Sequence, residues 1–227
     1  MANQIPTRSK SASSFLADFL TFLRYVETHR IRVTALNRHI PLRHLNDLEK
    51  IMSGVEPFHP LHSNTTYEMR CQRDRARLDF MDSLAHRMEL LERSEWGYIL
   101  LGQGWGKFMQ LEQKHQAEEC WNAFWCMDWN DLYPWSQVVD AISQQRTSLL
   151  SALLQCKVAN KESLMTFSEI MFPAMNIAEG FFWIVIRPLE FLDLAKGHFA
   201  LDAQGFWFPE AFELTEKFYA MPKNFPP

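Results

Sequence analysis

The chain has 227 residues with 23 Lys and Arg against 27 Asp and Glu, a formal net charge of −4, so it is not a uniformly basic polyanion-binding protein. With 47% hydrophobic and 14% aromatic residues it is excluded from the disordered, low-complexity class and can build one large or two small cores. Its longest apolar run, Phe181 to Ile186, is far short of the ~20 residues that span a bilayer. Cys71, Cys120, Cys126 and Cys156 have no zinc-ligand spacing, so no metal, cofactor or disulfide framework is expected.

Residues 1–11 are polar and read as a flexible N-terminal segment, without a signal peptide's apolar core and cleavage site. The expected location is the cytoplasm. From Ala12 the pattern turns helical, with Phe15, Leu16, Phe19, Leu20, Phe22, Leu23 and Val26 on one broad face. Arg30-Ile31-Arg32-Val33-Thr34 alternates as a short strand does. Asn37 suits a turn, and Pro41 suits the first turn of a second helix that carries Leu42, Leu45, Leu48 and Ile51 and ends at Gly54. Residues 55–66 read as a loop.

Residues 68–92 form the expected central helix, with Leu78, Met81, Leu84, Met88 and Leu91 as its apolar stripe. Gly97, Gly102, Gly104 and Gly106 crowd the segment that follows, as tight hairpins require. A helix is expected from about Lys107 to Met127, broken by Asp128-Trp129-Asn130-Asp131 and Pro134, and another over 135–156. The last third reads as a helix at 164–171, a helix at 176–194, strands around 199–201 and 206–208, and a short helix from about Thr215. The order helix, hairpin, helix therefore occurs twice. The fold class expected is mainly α with short β-hairpins, in tandem winged-helix-like modules. Four segments follow: the 1–11 terminus; 12–135, with a basic face and Trp-rich helix; a linking helix over 136–163; and a second, acidic and aromatic module over 164–227.

Charge divides along the chain. Residues 1–50 carry eight Lys/Arg against four Asp/Glu, residues 51–110 seven against eight, and residues 111–227 eight against fifteen. A polyanion-binding surface is thus expected in the first half only. Arg70, Arg73, Arg75 and Arg77, at the start of the central helix, are candidates for clamping phosphate from a recognition helix. The competing reading pairs them with Glu68, Asp74, Asp79 and Asp82 on a solvated helix face. Arg87 lies further along that helix. Arg32, Arg38 and Arg43, with Arg30, His29, His39 and His44, form a second basic cluster with few acids nearby.

Trp121, Phe124, Trp125, Trp129, Tyr133 and Trp135 raise the question of a base-stacking platform, which needs exposed aromatics interleaved with Lys or Arg. Residues 115–145 contain neither, and the spacing 121, 125, 129 is helical, so a buried stripe is expected. His59 and His62 have no second ligand pair and read as loop histidines. There is no nucleophile elbow, phosphate-binding Gly-Lys motif or metalloprotease His-Glu pair, and no enzyme is expected. The helix containing Phe181, Phe182 and Trp183 is apolar all round and must be covered. It is covered either by its own domain or, with Phe206, Trp207 and Phe208, by a protein partner.

Three stretches carry a resemblance. They are Phe19-Leu20-Thr21-Phe22-Leu23 with Val33-Thr34-Ala35-Leu36-Asn37-Arg38-His39-Ile40-Pro41; Arg77-Leu78-Asp79-Phe80 with Leu84-Ala85-His86-Arg87-Met88-Glu89-Leu90-Leu91; and Trp121, Trp125 and Trp129-Asn130-Asp131-Leu132. In these the chain resembles bacterial tandem winged-helix proteins related to helicase-associated winged-helix modules and to uncharacterised plasmid or mobile-element proteins. The likeness covers most of 15–135 and, more weakly, 176–221. The chain has Leu101-Gly102 where that family has Leu-Thr, and its first wing is very short, which weighs against contacts made through that wing. The resemblance implies nucleic-acid-related work. The expected function is a non-catalytic DNA-binding protein, a winged-helix regulator or mobile-element accessory protein, with double-stranded DNA as partner. A homodimer or protein contact would be made through the C-terminal module. The alternative is a structural or adaptor subunit that uses its winged helices for protein contacts.

Overall fold

Phe15, Phe19, Phe22, Leu23 and Val26 recur at helical spacing, and all five are buried along helix α1 (Phe15–Thr28). The computed structural model describes residues 15–36, 38–52, 72, 75–131, 136–173, 175–201 and 207–222, with the backbone alone at Asp131, Ser136 and Trp207. After α1 an extended segment at 31–33 leads through a turn to α2 (Leu42–Ile51), which starts directly after Pro41. The central helix α3 (Ala76–Arg87) runs into strands β1 (Leu91–Arg93) and β2 (Ile99–Leu101). These pair antiparallel, Leu91 opposite Leu101 and Arg93 opposite Ile99. The 31–33 segment adds to the other edge of β2: Val33 N–H donates to the Gly97 carbonyl (2.8 Å) and Ile99 N–H to the Ile31 carbonyl (2.9 Å).

The helix expected over 107–127 is two helices, α4 (Trp105–Gln110) and α5 (Gln113–Cys126). At the break the Phe108 carbonyl accepts twice, from Leu111 N–H (3.2 Å) and from the buried Gln116 side chain (3.0 Å), which ties α5 to the end of α4. The helix expected over 135–156 likewise divides into α6 (Ser136–Gln144) and α7 (Arg146–Leu153).

The last third follows with β3 (Glu162–Ser163) and α8 (Leu164–Met171), whose N-terminus is capped by the Ser163 hydroxyl accepting from Thr166 N–H. Next come α9 (Ala178–Phe181), a π-helical segment (Phe182–Ile186) and α10 (Arg187–Phe191) in unbroken succession. Strands β4 (Ala195–Leu201) and β5 (Trp207–Leu214) and helix α11 (Glu216–Ala220) complete the described chain. The second sheet has the order β3-β5-β4, all antiparallel, with an irregularity between His198 and Phe199. The molecule is thus mainly helical with two small antiparallel sheets. No described helix is long and apolar enough to cross a membrane.

One hydrophobic core joins the two halves. Phe80 of α3 lies 5.5 Å, centroid to centroid, from Phe191 of α10, and Trp121 of α5 lies 5.5 Å from Phe218 of α11. Asp193 accepts from Phe15 N–H at 2.7 Å. The segments expected as 12–135 and 164–227 are therefore not separated by a gap in the core. Trp121, Trp125 and Trp129 are buried within it, as their spacing predicts.

The all-apolar helix is covered from inside the chain. Phe181 and Phe182 are fully buried, Phe181 stacking on Phe167 and Phe182 meeting Phe199 of β4 edge-on at 5.2 Å. Gly197 makes this approach possible, because a Cβ there would sit 2.7 Å from the Phe182 ring. The expected protein-contact role of Phe181 and Phe182 is corrected accordingly. Trp183 is half-buried, with its indole N–H directed to Glu179 at 3.4 Å. Phe208 is 43% exposed on β5. Phe206 and the Trp207 side chain lie outside the described residues.

Candidate nucleic-acid interface

The arginines at the start of α3 separate into two groups. Arg70 and Arg73 lie outside the described residues. Arg75 and Arg77 face inward, at 3% and 6% exposure. The Arg75 guanidinium donates to Glu49 (2.6 Å) and to the Asn46 amide oxygen (2.8 Å), tying α3 to α2. Arg77 pairs with Asp18 of α1 at 2.9 Å, and both side chains are buried. Neither the DNA-facing reading nor the local helix-face reading describes these two. They are interior struts, and a buried charge that has a partner in the fold is withdrawn from any phosphate surface. This corrects the expectation for Arg75 and Arg77.

Below them, Asp82 gathers a second polar network. Its carboxylate accepts from Gln72 (3.0 Å) and Arg93 (2.8 Å), and lies 3.3 Å from His86 Nδ1. Burial pushes this carboxyl up, but His86, Arg93 and the Gln72 hydrogen bond outweigh burial and hold it below its ordinary value. Arg87 is exposed at the end of α3 and donates to the Cys126 carbonyl at 3.0 Å.

The second basic cluster remains at the surface. Arg30, Arg32, Arg38 and Arg43 are all exposed. The segment that holds them is built by its own hydrogen bonds. Thr34 N–H donates to the His39 carbonyl (2.8 Å), Arg38 N–H to the Thr34 carbonyl (2.9 Å), and His39 N–H to the Thr34 hydroxyl (3.1 Å). Closing this turn places Arg38 in the left-handed region, at φ 55°. On the strand, Ile31 and Val33 point into the core, so alternation turns Arg30 and Arg32 outward together.

Opposite Arg32 stands Tyr98. The guanidinium carbons of Arg30 and Arg32 lie 4.6 and 5.9 Å from the Tyr98 ring centroid, within cation–π range. The turn beyond is closed by Gly97, at φ +77°, and by the Ser94 hydroxyl accepting from Tyr98 N–H at 3.0 Å. Trp96 stands at its tip with 77% of its surface exposed. Sequence reasoning alone misses this aromatic–arginine association. The alternation of 30–34 and the shared parity of Trp96 and Tyr98 carry half the signal, but the pairing of two strands distant in sequence carries the rest.

Arg43 links this cluster to the core. Its Nε donates to Nε2 of the buried His44 at 3.2 Å, while His44 Nδ1 meets the Tyr25 hydroxyl at 2.9 Å. Nε2 accepts a hydrogen bond, so the imidazole is neutral. Burial lowers its pKa below 6.5, and the neighbouring Arg43 and His29 add to this. Among the described residues no group of three or more His, Cys, Asp and Glu is placed to hold a metal ion. His59 and His62 lie outside the described residues. Compared with family models, with curated proteins and with solved structures, the chain matches none.

Proposed function

We propose that the chain is a non-catalytic DNA-binding protein of tandem winged-helix architecture, which contacts phosphates through its N-terminal half. The architectural part is supported by element order. The sequence α1, the 31–33 strand, α2, α3, β1, β2, with 31–33 pairing to β2 and β2 to β1, is consistent with the order expected of a winged helix. The order α7, β3, α8, α9 to α10, β4, β5, with sheet order β3-β5-β4, repeats it.

One observation carries the functional part. Arg30, Arg32 and Arg38 are exposed on one strand-and-turn segment and Arg43 in the first turn of α2, and none of the four forms an ion pair with a described carboxylate. Counter-ion release on neutralising phosphate is the main sequence-independent source of DNA affinity, and unpaired surface arginines are what it needs. On this reading the contact falls to the strand, the turn and the start of α2, with Arg87 at the end of α3, and not to Arg75 or Arg77. If about four phosphates are neutralised, log affinity for duplex DNA falls with log salt at a slope near −3.6, about 0.9 per contact. Replacing Arg32 or Arg38 by Ser lowers that slope by about 0.9. A slope near zero, or an unchanged slope in the quadruple Ser variant, overturns the proposal.

A second reading rests on a different surface. Ile170 of α8 is 74% exposed, and Met165, Leu201 and Phe208 are exposed in the same acidic half. An adaptor subunit that uses the C-terminal module for a protein partner or for self-association is favoured if the full chain dimerises and Ile170→Glu abolishes the dimer.

A further inference from the structure

We propose that the outer face of the first sheet takes unpaired bases, so that the nucleic acid bound by this chain includes a single-stranded or unstacked segment. The inference rests on the DNA-binding reading and specifies its substrate.

It starts from strand parity. Ile31, Val33, Leu91 and Ile99 are buried and face the core, which leaves Arg30, Arg32, Tyr98, Leu100 and Glu92 on the opposite, solvent-facing side. The strands lie in the order 31–33, β2, β1. The two arginines therefore line one edge, Tyr98 and Leu100 occupy the middle, and Glu92 stands on the far edge. Such a face has direction. A phosphodiester backbone is attracted to the Arg30–Arg32 edge and on to Arg38 in the adjoining turn, and is repelled from the Glu92 edge. Its bases then point across the middle strand.

What they meet there can stack. A ring face and a guanidinium plane are both stacking surfaces for a base, and neither discriminates strongly among bases. Tyr98 carries Arg30 at 4.6 Å and Arg32 at 5.9 Å, a preassembled arrangement of ring and cations. Trp96, two residues away at the hairpin tip, is large, apolar and 77% exposed. No packing within the described chain accounts for an indole held in water on a turn fixed by Gly97 and Ser94. Intact duplex offers bases only at their edges, whereas an unpaired base offers its whole face. The interleaving of exposed aromatics with arginine required for stacking is absent from the buried Trp121–Trp129 stripe and present here.

The test compares a short oligothymidylate with a duplex of the same length, using full-length protein and anisotropy at low salt. Trp96→Ala is the primary variant, because so exposed a side chain contributes little to folding; Tyr98→Leu and Tyr98→Phe accompany it. Wild type is expected to bind both ligands. Trp96→Ala and Tyr98→Leu each weaken the oligothymidylate complex roughly five- to 150-fold while changing duplex affinity by no more than about twofold, and Tyr98→Phe retains single-strand affinity. Equal, small losses on both ligands overturn the stacking surface and leave the phosphate-contact reading standing. Binding of neither ligand by the wild type overturns both, and points to a protein partner for this face.

Discussion

The two hairpin units end their central helices in the same way and then diverge. In the first, Glu89 adopts a left-handed φ of 55°; in the second, Asp193 does so at 62°. Glu89 N–H donates to the His86 carbonyl and Leu90 N–H to Ala85, while Asp193 N–H donates to Glu190 and Leu194 N–H to Leu189. The return strand then closes each unit, Gly102 N–H bonding the Leu90 carbonyl (2.8 Å) and Thr215 N–H the Leu194 carbonyl (3.0 Å). The backbone plan is thus shared down to its helix cap. The surfaces are not. The first unit joins two three-residue strands to the 31–33 segment, and Arg30, Arg32 and Tyr98 meet on the outer face of that sheet. The second has strands of seven and eight residues, and its central arginine, Arg187, is buried beside Phe191 and Phe199 and paired with Glu190. Capping and closure set the scaffold, and surface chemistry is written on it independently.

The sharpest way to break the comparison is to remove a core aromatic from the acidic unit. Phe182→Ala is expected to cost about 3–5 kcal/mol, as large aromatic truncations in cores do, and to leave the oligomeric state unchanged. Urea unfolding and light scattering read the two quantities. A variant of wild-type stability that loses a dimer would restore Phe182 to an interface.

In the basic unit the corresponding test is Arg77→Met. It removes the guanidinium from a buried ion pair, at an expected cost of about 3 kcal/mol. Adding Asp18→Leu should recover much of that loss, because replacing both partners by apolar groups removes the buried pair altogether. If the chain binds DNA as proposed, the salt slope of the folded double variant should match that of wild type, and a reduced slope would put Arg77 back among the proposed phosphate contacts.

These residues also mark how far the sequence could be read. Elements that depend on local periodicity were legible: the stripe of α1, the Trp spacing of α5, and the helix–hairpin–helix order at both ends. What depended on distant partners was not. Arg75 and Arg77 look like a basic helix start beside Asp74 and Asp79, yet their partners Glu49 and Asp18 come from α2 and α1. The helix breaks at Leu111 and Gln145 were hidden because no Pro or Gly marks them. The apolar all-round pattern of 181–186 correctly required cover, but which surface supplied it depended on Gly197 admitting the Phe182 ring beneath β4. The Arg30, Arg32 and Tyr98 association needed strand register, which alternation alone does not give.

A smaller effect separates the units by pH. His44 anchors Arg43 in the basic unit while neutral, and its pKa in the folded chain lies below the ordinary 6.5. The unfolded chain therefore takes up a proton first as pH falls. This contribution to stability is fully present above about 6.5 and declines as pH drops through 6.5 toward the lower folded value. Urea melts from pH 7.5 down to 5, with about these limits bracketing the imidazole range, should show a decline that is flatter in His44→Gln. Parallel curves would mean that His44 does not link stability to pH.

The smallest effect tests whether the shared helix cap is shared in energy as well as shape. A residue with a side chain held at φ near +60° is strained by roughly 1 kcal/mol, and glycine relieves that strain. Glu89 is exposed, and the bond its side chain accepts from Gln103 is exposed too. Glu89→Gly is therefore expected to stabilise the protein by about 0.5–1 kcal/mol. Asp193 has the same backbone but plays a different part, because its carboxylate accepts from the first N–H of α1 at 2.7 Å and lies 3.8 Å from Lys217. It thereby satisfies a donor that the helix itself leaves unpaired. Asp193→Gly relieves the same strain but loses that cap, for a net cost of about 0–1 kcal/mol. Opposite signs in the two melting temperatures would show that the second unit uses its strained residue to join the halves, whereas the first merely tolerates its own. Equal gains would mean that the Asp193 contact contributes nothing.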